Sequence, residues 1–294
     1  MAIVLAVLAM PPLVFFARAP VLVVTDAPFA ALYGPSRMKR EQAASSLALF
    51  RRVKPVLAAD GAGPDILVVA ISSAASRPFC VLFPRHLASA AERYHEQFPE
   101  IPAVLLGGFA PAPNLPVPDG FLCVYETDRD ADLYRAGLFA GLLGDPRHGQ
   151  APAARRTFAL WQDIAVTAAQ RDLFIIGARE RHPESGVIFA NSAAEMPDEG
   201  SLSCAVLTGA GAEYLERRPR IPVVLFSWLD PAIASREVAV LFDDSPWGLA
   251  VPAARMAANR QAEGKIPSKP LILSANLADS SIFRALRRAA RRMP

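Results

Sequence analysis

Short apolar runs alternate with longer stretches in which apolar positions recur at helical spacing, from about residue 20 to the C-terminal end. Apolar runs of about four to eight residues bounded by Gly, Pro or polar residues read as buried strands. Their regular alternation with helical segments predicts βαβ units and parallel sheets. In the first half, strands are expected at 21–25 (VLVVT), 66–71 (ILVVAI), 79–83 (FCVLF), 103–106 (AVLL) and 121–125 (FLCVY). Helices are expected over 36–53 and 84–98, with Pro35 and Pro84 near their starts and Leu47 and Phe50 able to face a sheet. A third helix begins near Asp128, where Thr127-x-x-Asp130 reads as a capping box. Gly137 and Gly141, four apart on that helix, would let it approach a neighbour closely.

The segment 144–154 (GDPRHGQAPAA) breaks the alternation and is the expected crossing between two lobes. The pattern then restarts. Strands are expected at 155–161, 187–190 (VIFA), 203–209 (SCAVLTG), 222–228 (PVVLFSW), 237–244 (EVAVLFDD) and 270–274 (PLILS). Helices are expected at 164–181, up to about 217, at 246–263 and at 280–292, with a second crossing near 242–246. The reading is an α/β chain of two Rossmann-like lobes with parallel sheets joined by a multi-crossing hinge. Lobe one takes 20–145 and 245–268, and lobe two takes 154–244 and 269–294.

Composition agrees with a folded chain of this size. Of 294 residues, 52% are hydrophobic and 20% charged, enough to bury a large core. A net charge of +3 is too small to imply a nucleic-acid partner. Arg284, Arg287, Arg288, Arg291 and Arg292 crowd the last expected helix at spacings that suit either a solvated face or an anionic surface. Cys80, Cys123 and Cys204 lie far apart inside apolar runs and read as free, buried strand residues. Residues 1–17 carry no charged side chain, so 1–19 is expected to be an export signal or membrane anchor, contacting the membrane through this segment.

No catalytic constellation stands out. Ser36-Arg37-Met38-Lys39 has the spacing of a serine acyl enzyme without the companion triplets. The glycines at 144 and 149 lack the Lys-Ser/Thr that grips phosphate. His86, His95, His148 and His182 are scattered, without metal-ligand spacing. The chain is therefore read as a non-enzyme with no cofactor and no metal.

The order of elements resembles the type I periplasmic binding proteins, and within them the basic membrane protein family of substrate-binding proteins for ABC import. The residues that carry the likeness are the 98–108 segment (FPEIPAVLLGG) and Leu138-Phe139-Ala140-Gly141 after Tyr125-Glu126. Ser227-Trp228-Leu229-Asp230, EVAVLFDD and Glu263-Gly264-Lys265-Ile266 follow in the family's order. The resemblance implies two lobes that close on a small polar ligand, nucleoside-like or sugar, and an ABC permease as partner. After the first strand the chain has TDAPFAALY where the family carries a Ser-Phe-Asn run. That departure motivates the alternative of a sensory or structural partner-binding ectodomain with a degenerate pocket.

In open parallel sheets, ligands bind beyond the carboxyl ends of the strands. That rule selects Asp26, Phe29, Tyr33, Ser72, Ser73, Phe109, Glu126 and Asp128 from the first lobe. From the second it selects Trp161, Asp163, Asn191, Thr208, Trp228 and Asp230, with Asp243 at the hinge. Aromatic rings stack on sugar or base faces, and carboxylates accept hydrogen bonds from hydroxyls. The oligomeric state is not legible in the sequence.

Overall fold

Strands buried on both faces need apolar side chains on both, and the valine- and leucine-rich runs supply them. The computed structural model describes residues 15–59, 61–107, 116–144, 157–161, 166–180, 183, 185–198, 202–207, 212–216, 221–226, 238–273 and 280–292. In chain order the elements are β1 (Val21–Thr25), α1 (Ala27–Leu49), β2 (Val53–Leu57), α2 (Pro64–Ala74), β3 (Cys80–Pro84), α3 (Ala88–Gln97), β4 (Ala103–Leu106) and β5 (Leu122–Thr127). They continue with α4 (Arg129–Leu143), β6 (Thr157–Trp161), α5 (Ala168–Arg179), β7 (Gly186–Ala190), β8 (Cys204–Leu207), α6 (Ala212–Glu216), β9 (Val223–Phe226) and β10 (Val238–Asp243). The chain closes with α7 (Ala250–Ala258), β11 (Glu263–Ile266), β12 (Lys269–Ile272) and α8 (Ser280–Arg292).

The chain divides into two compact units. The first comprises Met1–Thr127 and Asp244–Ile266, the second Asp128–Asp243 and Pro267–Pro294. The division falls between Thr127 and Asp128, so α4 belongs to the second unit and the expected crossing at 144–154 is not where the units part. Each unit holds a six-stranded sheet, ordered β11-β5-β4-β3-β1-β2 in the first and β12-β10-β9-β8-β6-β7 in the second. All pairs in the first sheet are parallel, whereas β12 runs antiparallel to β10 in the second.

In the first unit, Leu22, Val24, Val81, Phe83 and Leu105 pack with Leu67, Val68 and Ile71 of α2 and Tyr94 of α3. α2 is the segment expected as the strand 66–71. Pro64 at its first turn and Asp65 behind it start a helix, and Ile66 and Val69 project into solvent while Leu67, Val68 and Ile71 are buried. α1 breaks at Gly34 (φ 59) ahead of Pro35 and therefore comprises two helical segments. Its end is a Schellman motif. The Phe50 N–H donates to the Leu47 carbonyl (3.2 Å) and the Arg51 N–H to that of Ser46 (3.1 Å), with Phe50 at φ 50. A non-glycine residue in this left-handed position costs about 1–2 kcal/mol.

The 36–53 helix ends earlier than expected, because Val53–Leu57 forms the edge strand β2, where Pro55 is tolerated. The expected helix 246–263 is likewise shorter. It ends at Ala258, and Glu263–Ile266 becomes β11, in parallel register with β5 from Glu263 opposite Val124 to Ile266 opposite Thr127.

In the second unit, α4 and α5 touch through glycine. A Cβ on Gly137 would run into the Phe174 carbonyl, and one on Gly177 into the Tyr134 carbonyl. Gly141 faces the Ala178 carbonyl in the same seam. α4 starts at Asp128, whose carboxylate accepts from the Ala131 N–H (3.1 Å), so the cap is Asp128 rather than Thr127. The capping box of this unit is at α5, between Thr167 and Gln170. Ile282 and Leu286 of α8 enter the core beside Val240 and Phe242, leaving Arg284, Arg287 and Arg288 exposed. Among the described residues no helix is long and apolar enough to cross a membrane.

Candidate functional site: the carboxyl edge of the first sheet

Neighbouring parallel strands present consecutive loops at one edge, so the sheet order decides which side chains meet. β1 and β3 are adjacent. Asp26, the first residue after β1, therefore meets His86, in the 3₁₀ turn Arg85–Leu87 after β3, with Asp26 Oδ2 and His86 Nε2 2.9 Å apart. Arg85 reaches the other way along the edge. Its Nη1 donates to the Gly107 carbonyl after β4 (3.4 Å), and its Nη2 lies 3.6 Å from Glu126 Oε1 on β5. A row of polar groups thus spans four strands. Asp26 and Arg85 are mostly covered, at 18% and 11% side-chain exposure, while His86 and Glu126 stand open at 54% and 52%.

Beneath this row lies a buried layer that fixes the strand ends. Trp247 Nε1 donates to Thr25 Oγ1 (2.7 Å), and Thr127 Oγ1 donates to Asp244 Oδ2 (3.1 Å). Gly107 adopts φ 75, and a Cβ there would stand 2.5 Å from the Asp244 carbonyl. Only glycine lets the β4 loop pass so close to the returning chain. The Tyr33 ring stands 6.5 Å from that of Trp247, and its buried hydroxyl has no hydrogen-bond partner among the described residues. A buried phenol left without a partner is costly, and a polar ligand atom would satisfy it.

Polar pairs with one partner open to solvent contribute about 0–1 kcal/mol, so a polar solute can exchange for them at low cost. The edge offers a carboxylate acceptor, a guanidinium donor and an imidazole, the groups that recognise hydroxyls and ring nitrogens. Among the described residues no cluster of His, Cys, Asp and Glu is placed to hold a metal.

Of the residues selected from sequence, Asp26, Tyr33 and Glu126 lie at this edge, and Phe29 is in the first turns of α1. Ser72 and Ser73 do not. They sit in the last turn of α2, where their hydroxyls donate to the Val68 and Val69 carbonyls (2.9 and 2.8 Å), and α2 leads into the amino end of β3. Asp128 is engaged as the α4 cap. In the second unit Trp161 ends β6. Asn191 follows β7, exposed, with its N–H and Nδ2 both donating to Glu195 Oε2 (2.8 and 3.0 Å). Asp243 ends β10, fully buried. Phe109, Asp163, Thr208, Trp228 and Asp230 lie outside the described residues. The strand-end rule does not select Arg85 and His86, because the sequence predicts a Pro-initiated helix from residue 84 where the chain forms the turn Arg85–Leu87. The signal was a basic pair placed directly after an apolar strand.

No family model matches the chain, and no curated protein matches it by sequence. Solved structures do match. An ABC transporter solute-binding protein from Conexibacter woesei DSM 14684 superposes with a TM-score of 0.52 at 12% identity, covering 94% of this chain and 96% of that one. A transcriptional activator of the comK gene from Bacillus halodurans gives 0.48 at 10% identity over 93% and 96% of the two chains. A periplasmic solute-binding protein of an ABC transporter from Actinobacillus succinogenes 130z, with bound D-allose, gives 0.43 at 12% identity over 87% and 97%. With its two units of parallel-rich sheet and a likeness that extends over nearly the whole chain, this protein has the two-lobed α/β fold of the type I periplasmic binding proteins.

Proposed function

We propose that the protein is an extracytoplasmic solute-binding protein that takes a small polar ligand, sugar or nucleoside-like, at the carboxyl edge of its first sheet for ABC-type uptake. The observation that carries this reading is the row from Asp26 and His86 to Arg85 and Glu126, partly exposed, at the edge where open α/β sheets bind ligands. The fold shared with a solute-binding protein of an ABC system supports it. The narrower likeness to basic membrane proteins, and with it a nucleoside over a sugar, rests on the order of motifs in the sequence. The uncharged run at 1–17 supports an extracytoplasmic location. Ligand contacts made only in a closed form would shift the population of the two units toward closure.

A thermal-shift screen of the folded protein with pentoses, hexoses, purines and nucleosides tests this. A binder at about a hundredfold its Kd adds about 2.7 kcal/mol and raises the melting temperature. No stabilisation by any of these compounds would favour the partner-binding ectodomain instead.

A further inference from the structure

The amino edge of the first sheet, opposite the candidate site, has a different character. Phe16 is 62% exposed, Leu47 78% and Phe50 39%. They form one surface. The Phe15 ring meets both Phe16 (centroids 5.4 Å) and Phe50 (5.9 Å), and Leu47 lies one turn before Phe50. Arg40, Ala44 and Leu47 share one exposed face of α1 at four- and three-residue spacing, extending the patch. Arg18 places its guanidinium 5.1 Å over the Phe50 ring, so cations border the apolar surface.

Two further observations set this patch apart from scattered surface hydrophobics. Phe50 occupies the left-handed cap position where glycine is the unstrained choice, so the fold holds a phenyl ring at the surface against its backbone preference. The patch is also continuous in sequence with residues 1–17, which carry no charged side chain.

We propose that this edge is a membrane-facing platform, with Phe16, Leu47 and Phe50 seated in the headgroup region of an anionic bilayer and Arg18 and Arg40 among its phosphates. Aromatic rings and arginines bordering an apolar run are the composition of a membrane–water interface. Basic residues near an anionic leaflet add attraction that fades with salt. A bilayer is the one occupant that accepts both the uncharged run and the mixed aromatic and cationic face. The carboxyl edge, with Asp26 and Arg85, then points away from the lipid.

The test places an environment-sensitive fluorophore at Ala44→Cys in the full chain, and in a second protein at Leu57→Cys. Leu57 is an exposed apolar residue (63%) ending β2 at the carboxyl edge. The three native cysteines are free and fully buried, with thiol pKa values raised by burial, so labelling is selective. Adding phosphatidylcholine vesicles that contain phosphatidylglycerol is expected to shift emission to the blue at position 44 and not at 57. Phe50→Gly, which suits the cap, and Arg18→Glu are each expected to reduce the change severalfold with the melting curve retained. No change at 44, or equal change at both positions, overturns the proposal. So does a change at 44 that needs only higher protein concentration without vesicles, which identifies a second copy as the occupant.

Discussion

The two units anchor their returning chain by different means. In the first, the segment re-entering at Asp244 is held by separate hydrogen bonds and a close glycine contact: Thr127 to the Asp244 carboxylate, Trp247 to Thr25, and Gly107 against the Asp244 backbone. In the second, the segment re-entering at Pro267 is held by a buried pair of opposite charges. Asp132 accepts from the Ser268 N–H with both oxygens (2.9 and 3.2 Å), while Arg135 donates to the Ser268 carbonyl (3.0 Å) and lies 3.4 Å from Asp132. Burial pulls the Arg135 guanidinium below its ordinary pKa, and the Asp132 carboxylate opposes that shift. An anchor of separate hydrogen bonds keeps the others when one is cut. A buried ionic one fails when either partner is removed.

Substitutions sharpen this difference, the largest first. Asp132→Ala removes the carboxylate shared by Arg135 and the Ser268 N–H, and is expected to cost about 3–5 kcal/mol in urea unfolding. An unchanged midpoint would mean that the second anchor is not ionic in effect. Gly107→Ala forces a Cβ into a left-handed site beside the Asp244 carbonyl, for a loss of about 2–4 kcal/mol by the same assay. Trp247→Phe deletes the Nε1–H donor to Thr25 and leaves part of the indole's volume empty, for about 1–3 kcal/mol. A loss as large as that of Asp132→Ala would erase the distinction between the anchors.

The smallest expected effect contrasts the buried Asp132 with an exposed carboxylate of the first unit. Asp119 accepts from the Leu122 and Phe121 N–H groups (2.8 and 2.9 Å), and these bonds hold its carboxyl below the usual range, helped by His95 at 3.0 Å. A carboxyl with a lowered folded pKa stabilises fully above its unfolded value and loses that contribution as pH falls through the folded one. Asp119→Asn is therefore expected to lower stability slightly at neutral pH, leave it unchanged below the folded pKa, and so flatten the acid limb.

The strands buried on both faces, such as Val21–Thr25 and Val238–Asp243, were legible because complete burial writes itself as an unbroken apolar run. The same logic misplaced 66–71, where a helix buries Leu67, Val68 and Ile71 and exposes Ile66 and Val69. β2 and β11 escaped notice because edge strands need few apolar residues, as Pro55 and Glu263-Gly264-Lys265 show. Local pattern also does not say which sheet a helix covers, so the expected first lobe runs to residue 145 whereas the first unit ends at Thr127, ahead of α4. At the site, Asp26 and Glu126 follow from the strand-end rule. The reach of Arg85 across β4 and the bond from Thr127 to Asp244, 117 residues apart in sequence, depend on sheet order and leave no local trace.

The central claim is that the carboxyl edge of the first sheet receives the ligand. Calorimetric titration of the best compound from the thermal screen into the unmodified protein, Asp26→Ala and Ser72→Ala tests it most directly. The predicted result is a loss of affinity of about tenfold or more with Asp26→Ala, which removes a charge-assisted hydrogen bond, and none with Ser72→Ala. Full affinity in Asp26→Ala together with a loss in Ser72→Ala would contradict it.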